Sequence, residues 1–475
     1  MATPLALALF GVLVAVAAVA VWRRPLAAIF LFVVGLAAHN LVMSLLWGAG
    51  VRGDSLELIA AWKEILLAVA AARVVFDAWR AHELPFRPGL VDALALLFTG
   101  FVLLYAVLPQ GALGGRAGGS AVLHALRHDL VPVVAFLIGR SLGITLAQLR
   151  SVTWTILGTA AAVAGFGLVE EYTVGVGWWH RSGAVGYFRQ QLGFDYHGPG
   201  GMPENFAFNT SHNQLFRRLI STFVSPLATG YMFVVALLLA PLRRAAIPLA
   251  ALVFAGLLFT ISRSALAGLV GGLVVLAIAR RDLRPVGAAA VVAAAGIGFA
   301  YLFTDVAPRT HFLGADLAYQ HQFARKHPGA SNKALSPSEP SFKSHLTNLR
   351  DGLETVVRHP QGYGLGNAGA TASRFDVPLK AGESNYTEIG VETGLAGMLA
   401  FIAWSLAILV ALVRRAWERL DGLGSGAAAG AAALGAVLLI AIQTDAYGIP
   451  WLAYVLWWLL GSLLAANFRG RPESD

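Results

Sequence analysis

A few arginines and carboxylates carry the chemistry that can be read from this chain. Arg263 stands in FTISRSALAGLVGG (residues 259–272), where two apolar runs meet without a polar linker. Its guanidinium therefore lies at a turn pressed against neighbouring helices. Burying an unpaired guanidinium there is costly. A diphosphate satisfies it, because the planar fork bonds two oxygens at once; a structural salt bridge to Glu383, Glu388 or Asp305 is the alternative. Arg217 and Arg218 form a second cationic site ahead of STFVSP, read as anion-binding. Glu383, Glu388 and Glu392 fall in ESNYTEIGVETGLAG, at or inside the mouth of an apolar helix, where a charge is expensive unless it is used. Arginines can neutralise a departing diphosphate without a metal, and one carboxylate can take the proton from an attacking hydroxyl. The chemistry expected is group transfer between lipid-diphosphate substrates.

Other polar residues have two readings each. His124, Arg127, His128 and Asp129 cluster at one end of an apolar run; Arg127 could hold an anion, or serve as a helix-end charge at the headgroups. Lys63 and Glu64 are adjacent and so do not face each other on a helix, which predicts separate partners. Glu170 and Glu171 read as solvated or paired. The stretch WWHRSGAVGYFRQQLGFDYHGPGGMPENF is rich in aromatics, glycine and histidine. It suits sugar rings or lipid headgroups, or else an interfacial belt resting on a bilayer. In SHLTNLRDGLETVVRHPQGYGLGNAG, Arg350, Leu353, Val356 and Val357 suit one face of a short amphipathic helix. His359-Pro360 stops that helix, and the following glycines permit a tight turn. Glu392 with Gly394 and Gly397 reads as helix packing. No P-loop or HExxH motif occurs. The 12 histidines show no convincing metal-ligand spacing, and the absence of cysteine excludes disulfides and thiolate chemistry. No cofactor and no metal are expected.

These residues are positioned by a membrane-type chain. Of 475 residues 57% are hydrophobic and 13% charged, with a mean hydropathy of +0.67. Apolar runs fall at 4–22, 26–47, 57–78, 89–108, 121–142, 151–171, 219–240, 245–261, 264–279, 286–304, 386–413, 425–444 and 448–467. By window length that is about thirteen spans, within a range of about 12–14. The fold class expected is an all-α polytopic bundle over residues 1–475. The first run reads as a retained span, not a cleaved signal. Basic residues concentrate in alternate short loops, from Arg23-Arg24 to Arg469 and Arg471. Positive-inside places those loops in the cytoplasm and the N-terminus outside, and reads the net charge of +9 as topology, not nucleic-acid binding. Two long polar loops, 172–218 and 305–385, then face outward, as functional lids or binding elements. Within the second, residues 330–341 (ASNKALSPSEPS) read as a mobile strap.

STFVSP, FTISRSALAGLVGG, RHPQGYGLGNAG and ESNYTEIGVETGLAGMLAF occur in this order over roughly residues 217–400. Together they resemble the O-antigen ligase and O-antigen polymerase superfamily of bacterial envelope glycosyltransferases. The resemblance implies a GT-C-like inner-membrane enzyme with its site facing the periplasm. It also implies an undecaprenyl-diphosphate-linked glycan donor, a glycan or glycolipid acceptor, and metal-independent, inverting transfer. A chain-length regulator and a flippase are partners of the kind implied. By position, Arg218 and Arg263 match the arginines expected at the donor diphosphate, with Arg217 and Arg127 as further anion contacts. Ligases of the superfamily open the last block with a His-Asn pair, whereas this chain reads Glu383-Ser384. That departure favours a polymerase, with Glu383 as base, Arg350 and Tyr386 shaping the site, and His359 the next candidate base. A ligase delivering finished glycan to lipid A-core or protein is the alternative. A transporter of lipid-linked glycans would use the same intramembrane charges, but no inverted repeat is visible and the charges crowd one face.

Overall fold

The computed structural model describes residues 2–209, 214–241, 243–326, 340–380, 382 and 384–465. Glu383 and most of the 330–341 strap lie outside the described residues. The protein is an all-α polytopic membrane protein. Among the described residues nine helices are long and apolar enough to cross a membrane, and three shorter apolar helices join them. The helix Trp62–Ala81 completes the set with Lys63, Glu64, Arg73, Asp77 and Arg80 aboard. These thirteen helices coincide in order and place with the thirteen apolar runs, and are called here the first to the thirteenth span.

The twelfth span, Gly422–Ile440, lies at the centre, and its alanines and glycines explain why. Small residues let helix backbones approach closely enough to pack. The ninth span, Arg263–Arg280, answers with its own glycines: Gly268 meets Ile440 and Gly272 meets Ala436. The first span sits at the rim, with Leu5, Leu9 and Val16 exposed on its flank. The seventh span is capped by Ser225, whose side chain accepts a hydrogen bond from the Ala228 N–H at 3.4 Å. Pro226 follows as its first residue, where a missing N–H does no harm.

Both long loops leave the same face, termed the loop face. They are tied by a small antiparallel ribbon, β1 (Ala207–Asn209), β2 (Leu215–Arg217) and β3 (Arg309–Thr310). Phe208 pairs with Phe216, and Phe216 in turn with Arg309. Most aromatics of the first loop turn inward. Trp179, Tyr187, Phe188 and Phe206 are buried and build a second core against Trp47 and Leu56. An interfacial belt would require them exposed, so that reading does not hold for these four.

The helix Pro340–Arg358 ends where His359-Pro360 predicts, but the inward stripe differs from expectation. Gly352 lies on Thr387 and Val356 on Gly390, while Arg350, Leu353 and Val357 are exposed. The two stripes are neighbours on a 3.6-residue period, and the glycine contact selects between them. The helix Asn385–Glu418 is broken at Gly394, whose φ of 73° a side chain would resist. The glycine turn fills the break. Tyr363 N–H donates to Val391 O at 2.7 Å, Gly364 N–H to Glu392 O at 3.1 Å, and Leu395 N–H to Pro360 O at 2.9 Å. The backbone groups freed by the kink are thereby satisfied, as an apolar environment requires.

Candidate active site

The two arginine-bearing turns are stitched together. Leu219 N–H donates to Phe259 O at 3.0 Å, and Arg218 Nε donates to Thr260 O at 2.8 Å. Each turn holds a β-branched residue in the left-handed region, Val224 at φ 54° and Ile261 at φ 44°. Such backbone costs about 1–3 kcal/mol per residue and clusters at functional sites. Its geometric effect here is to end the eighth span at Phe259 and start the ninth at Arg263, capped by Ser262. Arg263 therefore sits at a helix N-terminus, where unpaired N–H groups and the helix dipole also favour an anion. Arg218 and Arg263 are both half-buried. The following residue, Ser264, bonds Tyr231 Oη at 2.9 Å.

Arg217 has a different task from the one its neighbour suggests. It ends strand β2, points into the protein and is 2% exposed. Its guanidinium bonds Glu170 and the Val174 carbonyl and covers the Phe206 ring at 4.6 Å. Trp179 Nε1 donates to the same Glu170 carboxylate at 2.6 Å. The expectation of substrate binding at Arg217 gives way to an internal clamp, because Glu170 supplies the anion.

Arg127 stands in a second basic group that the sequence only half reveals. His124 Nε2 accepts from Arg374 at 2.8 Å and from Arg127 at 3.4 Å, while Nδ1 lies 3.2 Å from Thr371 Oγ1. Glu64 bridges Arg127 and Lys63, at 3.4 Å each. Lys63 and Glu64 thus do approach, their side chains bending toward one another despite adjacent positions. Burial, then the nearby Arg127 charge, holds the Arg374 guanidinium below its ordinary value. Two guanidinium groups converging on one imidazole nitrogen leave an excess of donors that suits an anion. Arg374 follows the glycine turn on the short helix Gly369–Arg374, and no local pattern marks it.

One residue further along the fifth span, His128 organises a buried polar network. Its Nδ1 lies 2.8 Å from Asp129, and its Nε2 lies 3.1 Å from Asp445. Asp445 also accepts from Asn385 Nδ2 at 2.6 Å and from Gly448 N–H at 2.7 Å. Asn385 Oδ1 accepts from the N–H groups of Ala446 and Tyr447, at 2.8 and 3.2 Å. Burial works to raise the Asp445 carboxyl, but the His128 charge and these hydrogen bonds outweigh it and hold it below the usual carboxylate range. Through this network the residues that follow Glu383 in sequence are fastened to the fifth span beside Arg127. Glu388 lies against Gly369, whose φ of 57° leaves room for the carboxylate where a side chain would stand. Glu392 accepts from Gly366 N–H at 2.8 Å.

His128, Glu388 and Asp445 are the one metal-like cluster among the described residues. Both His128 nitrogens already face carboxylates, the arrangement of a doubly donating imidazolium with no lone pair for a metal. The donor set fits a proton-bearing ring better than a ligand.

The remaining expected residues are dispersed. Tyr386 donates its hydroxyl to Leu438 O at 2.9 Å, which turns it toward the bundle. His359 stacks on Tyr363 at 3.9 Å and reaches Leu113 O at 3.0 Å, so it secures the glycine turn. Arg350 is exposed on the outer helix. The loop face thus carries three polar groups: Arg218 with the Arg263 turn, Arg127 with Arg374, and the His128 network.

No curated protein matches the chain significantly. Residues 248–402, which hold the Arg263 turn, the outer helix, the glycine turn and the broken helix, match the family model described as O-antigen ligase. The matched domain supports the O-antigen ligase and polymerase superfamily, membrane enzymes of polysaccharide biosynthesis that act on lipid-linked glycans.

Proposed function

We propose that the protein is a polymerase of lipid-linked polysaccharide repeat units on the outer face of the bacterial inner membrane. The donor is a glycan on undecaprenyl diphosphate, and the acceptor is a sugar hydroxyl of an incoming repeat unit. The acceptor oxygen attacks the anomeric carbon from the face opposite the diphosphate, which inverts that centre. The glycosyl–diphosphate bond breaks, undecaprenyl diphosphate departs with the bonding pair, and Glu383 takes the hydroxyl proton. Arg218 and Arg263 hold the leaving diphosphate, and Arg127 with Arg374 supplies further positive charge. Donors placed where charge develops lower the barrier more than donors bound equally to substrate. No step calls on a metal.

The observation that carries this reading is the stitched pair of turns, with Arg218 bonded to Thr260 O and Arg263 opening the next helix three residues on. Two arginines presented on strained backbone, tied turn to turn by hydrogen bonds, suit a diphosphate that must be held during bond cleavage. Glu383 in the place of the ligases' histidine favours polymerisation. The ligase reading draws on the printed family description. Deleting the gene and examining the glycans separates the two. Lipid-linked single repeats in the deletion strain support the polymerase. Full-length lipid-linked chains lacking attachment establish the ligase and end the polymerase reading.

A further inference from the structure

Gly193 of the first long loop lies against the Arg374 carbonyl, so the loop rests on the rim of the basic group. Past Gly193 the chain leads to Asp195 and His197. Unlike the inward-facing aromatics of this loop, Tyr319 of the helix Ala315–Lys326 is 41% exposed. One of its faces is backed by the His197 ring, at 4.2 Å and 20°. His197 is itself held at both ends: its N–H donates to Glu204 Oε1 at 2.9 Å, and its carbonyl accepts from Gln320 Nε2 at 3.2 Å. The phenol ring is thereby fixed without being covered. Beside it, Arg189 and Asp195 pair at 2.6 Å, more than half exposed, and His197 Nε2 lies 3.5 Å from the other Asp195 oxygen. An exposed pair of this kind contributes only about 0–1 kcal/mol to stability.

A rigid aromatic face flanked by planar polar forks is what a pyranose ring requires. Its axial C–H face packs on the ring, and neighbouring hydroxyls bond a carboxylate or guanidinium two at a time. We propose that Tyr319, with His197, Asp195 and Arg189, forms a platform that holds the elongating glycan beside the reaction site between successive transfers. The proposal rests on the polymerase reading and adds to it a second, non-catalytic grip on the product. The donor's diphosphate departs with its lipid at every transfer, so a grip on the growing chain that lasts through the transfer falls on its sugars.

The test uses the full-length protein in detergent or proteoliposomes, with lipid-linked repeat units isolated from the deletion strain. Tyr319→Ala and Asp195→Asn should shorten the modal chain length several-fold, while the rate of the first linkage stays within about twofold. Tyr319→Phe, which keeps the ring, should restore wild-type length. Titration with the free repeat-unit oligosaccharide should show binding weakened at least tenfold by Tyr319→Ala and unchanged by Tyr319→Phe. Unaltered chain length in Tyr319→Ala and Asp195→Asn overturns the platform alone. Equal shortening in Tyr319→Ala and Tyr319→Phe overturns it too. A wild-type protein that forms no polymer overturns both the platform and the reading beneath it.

Discussion

Replacing His128 by alanine tests the network that fastens the start of the eleventh span. The imidazole makes one short contact with Asp129 and one with Asp445, at 2.8 and 3.1 Å. Its side chain is only 10% exposed, and those of the two carboxylates are 2% and 18% exposed. Hydrogen bonds involving a charged group contribute about 1.5–3 kcal/mol each. Removing one partner of a buried ion pair costs about 3–5 kcal/mol, because the other charge is left uncompensated. We therefore expect His128→Ala to lose about 3–5 kcal/mol, and His128→Asn, which keeps one donor, to lose less. Reversible denaturant unfolding in mixed micelles measures this directly. A double-mutant cycle with Asp445→Asn isolates the pair, and should return a coupling of at least about 1.5 kcal/mol. On the function proposed above, turnover should fall while the donor KM holds within about threefold, since the lesion displaces the segment that follows Glu383 and not the arginine-bearing turns. A loss below about 0.5 kcal/mol, or a coupling near zero, refutes the clamp.

Five further outcomes are expected. Arg218→Ala and Arg263→Ala should each lower turnover about 10²–10³-fold with membrane insertion kept, Arg218→Ala also losing its hydrogen bond to Thr260 O; near-normal polymer in both removes the diphosphate reading. Glu383→Gln should lower turnover at least about 10²-fold with donor binding kept, and a retained rate passes the role of base to another residue. Gly369→Ala should destabilise by about 1–3 kcal/mol, since the new methyl meets the Glu388 carboxylate on left-handed backbone. Gly287→Ala, in open space on a helix, should be neutral or slightly stabilising. Acidification should weaken the fold through Asp445. Its folded value lies below the ordinary one, so its stabilisation is present above about pH 4 and is lost as the pH falls through the folded value. Asp445→Asn should flatten that part of the stability–pH curve.

The spans were legible because their apolar runs are long and their breaks are marked by arginines, prolines and glycines. The stop at His359-Pro360 and the turn after it were equally plain, since those residues leave the backbone few choices. Partnerships were not. His128 and Asp445 are 317 residues apart in sequence, and nothing local to either announces the other. The Arg217-Arg218 doublet showed a cationic site but not that its first member turns inward to Glu170. Arg374 carried no pattern at all; only the placing of its short helix over His124 gives it a role. In the outer helix the period was correct, yet two adjacent stripes fit it, and Gly352 against Thr387 chose between them.

The ribbon of β1, β2 and β3 has a consequence for traffic. Because its ladder joins the end of the first long connection to the start of the second, those two ends are held as one piece. On the function proposed above, a lipid-borne glycan arriving at this face meets one joined edge where the two connections begin and end, and not two independent flaps.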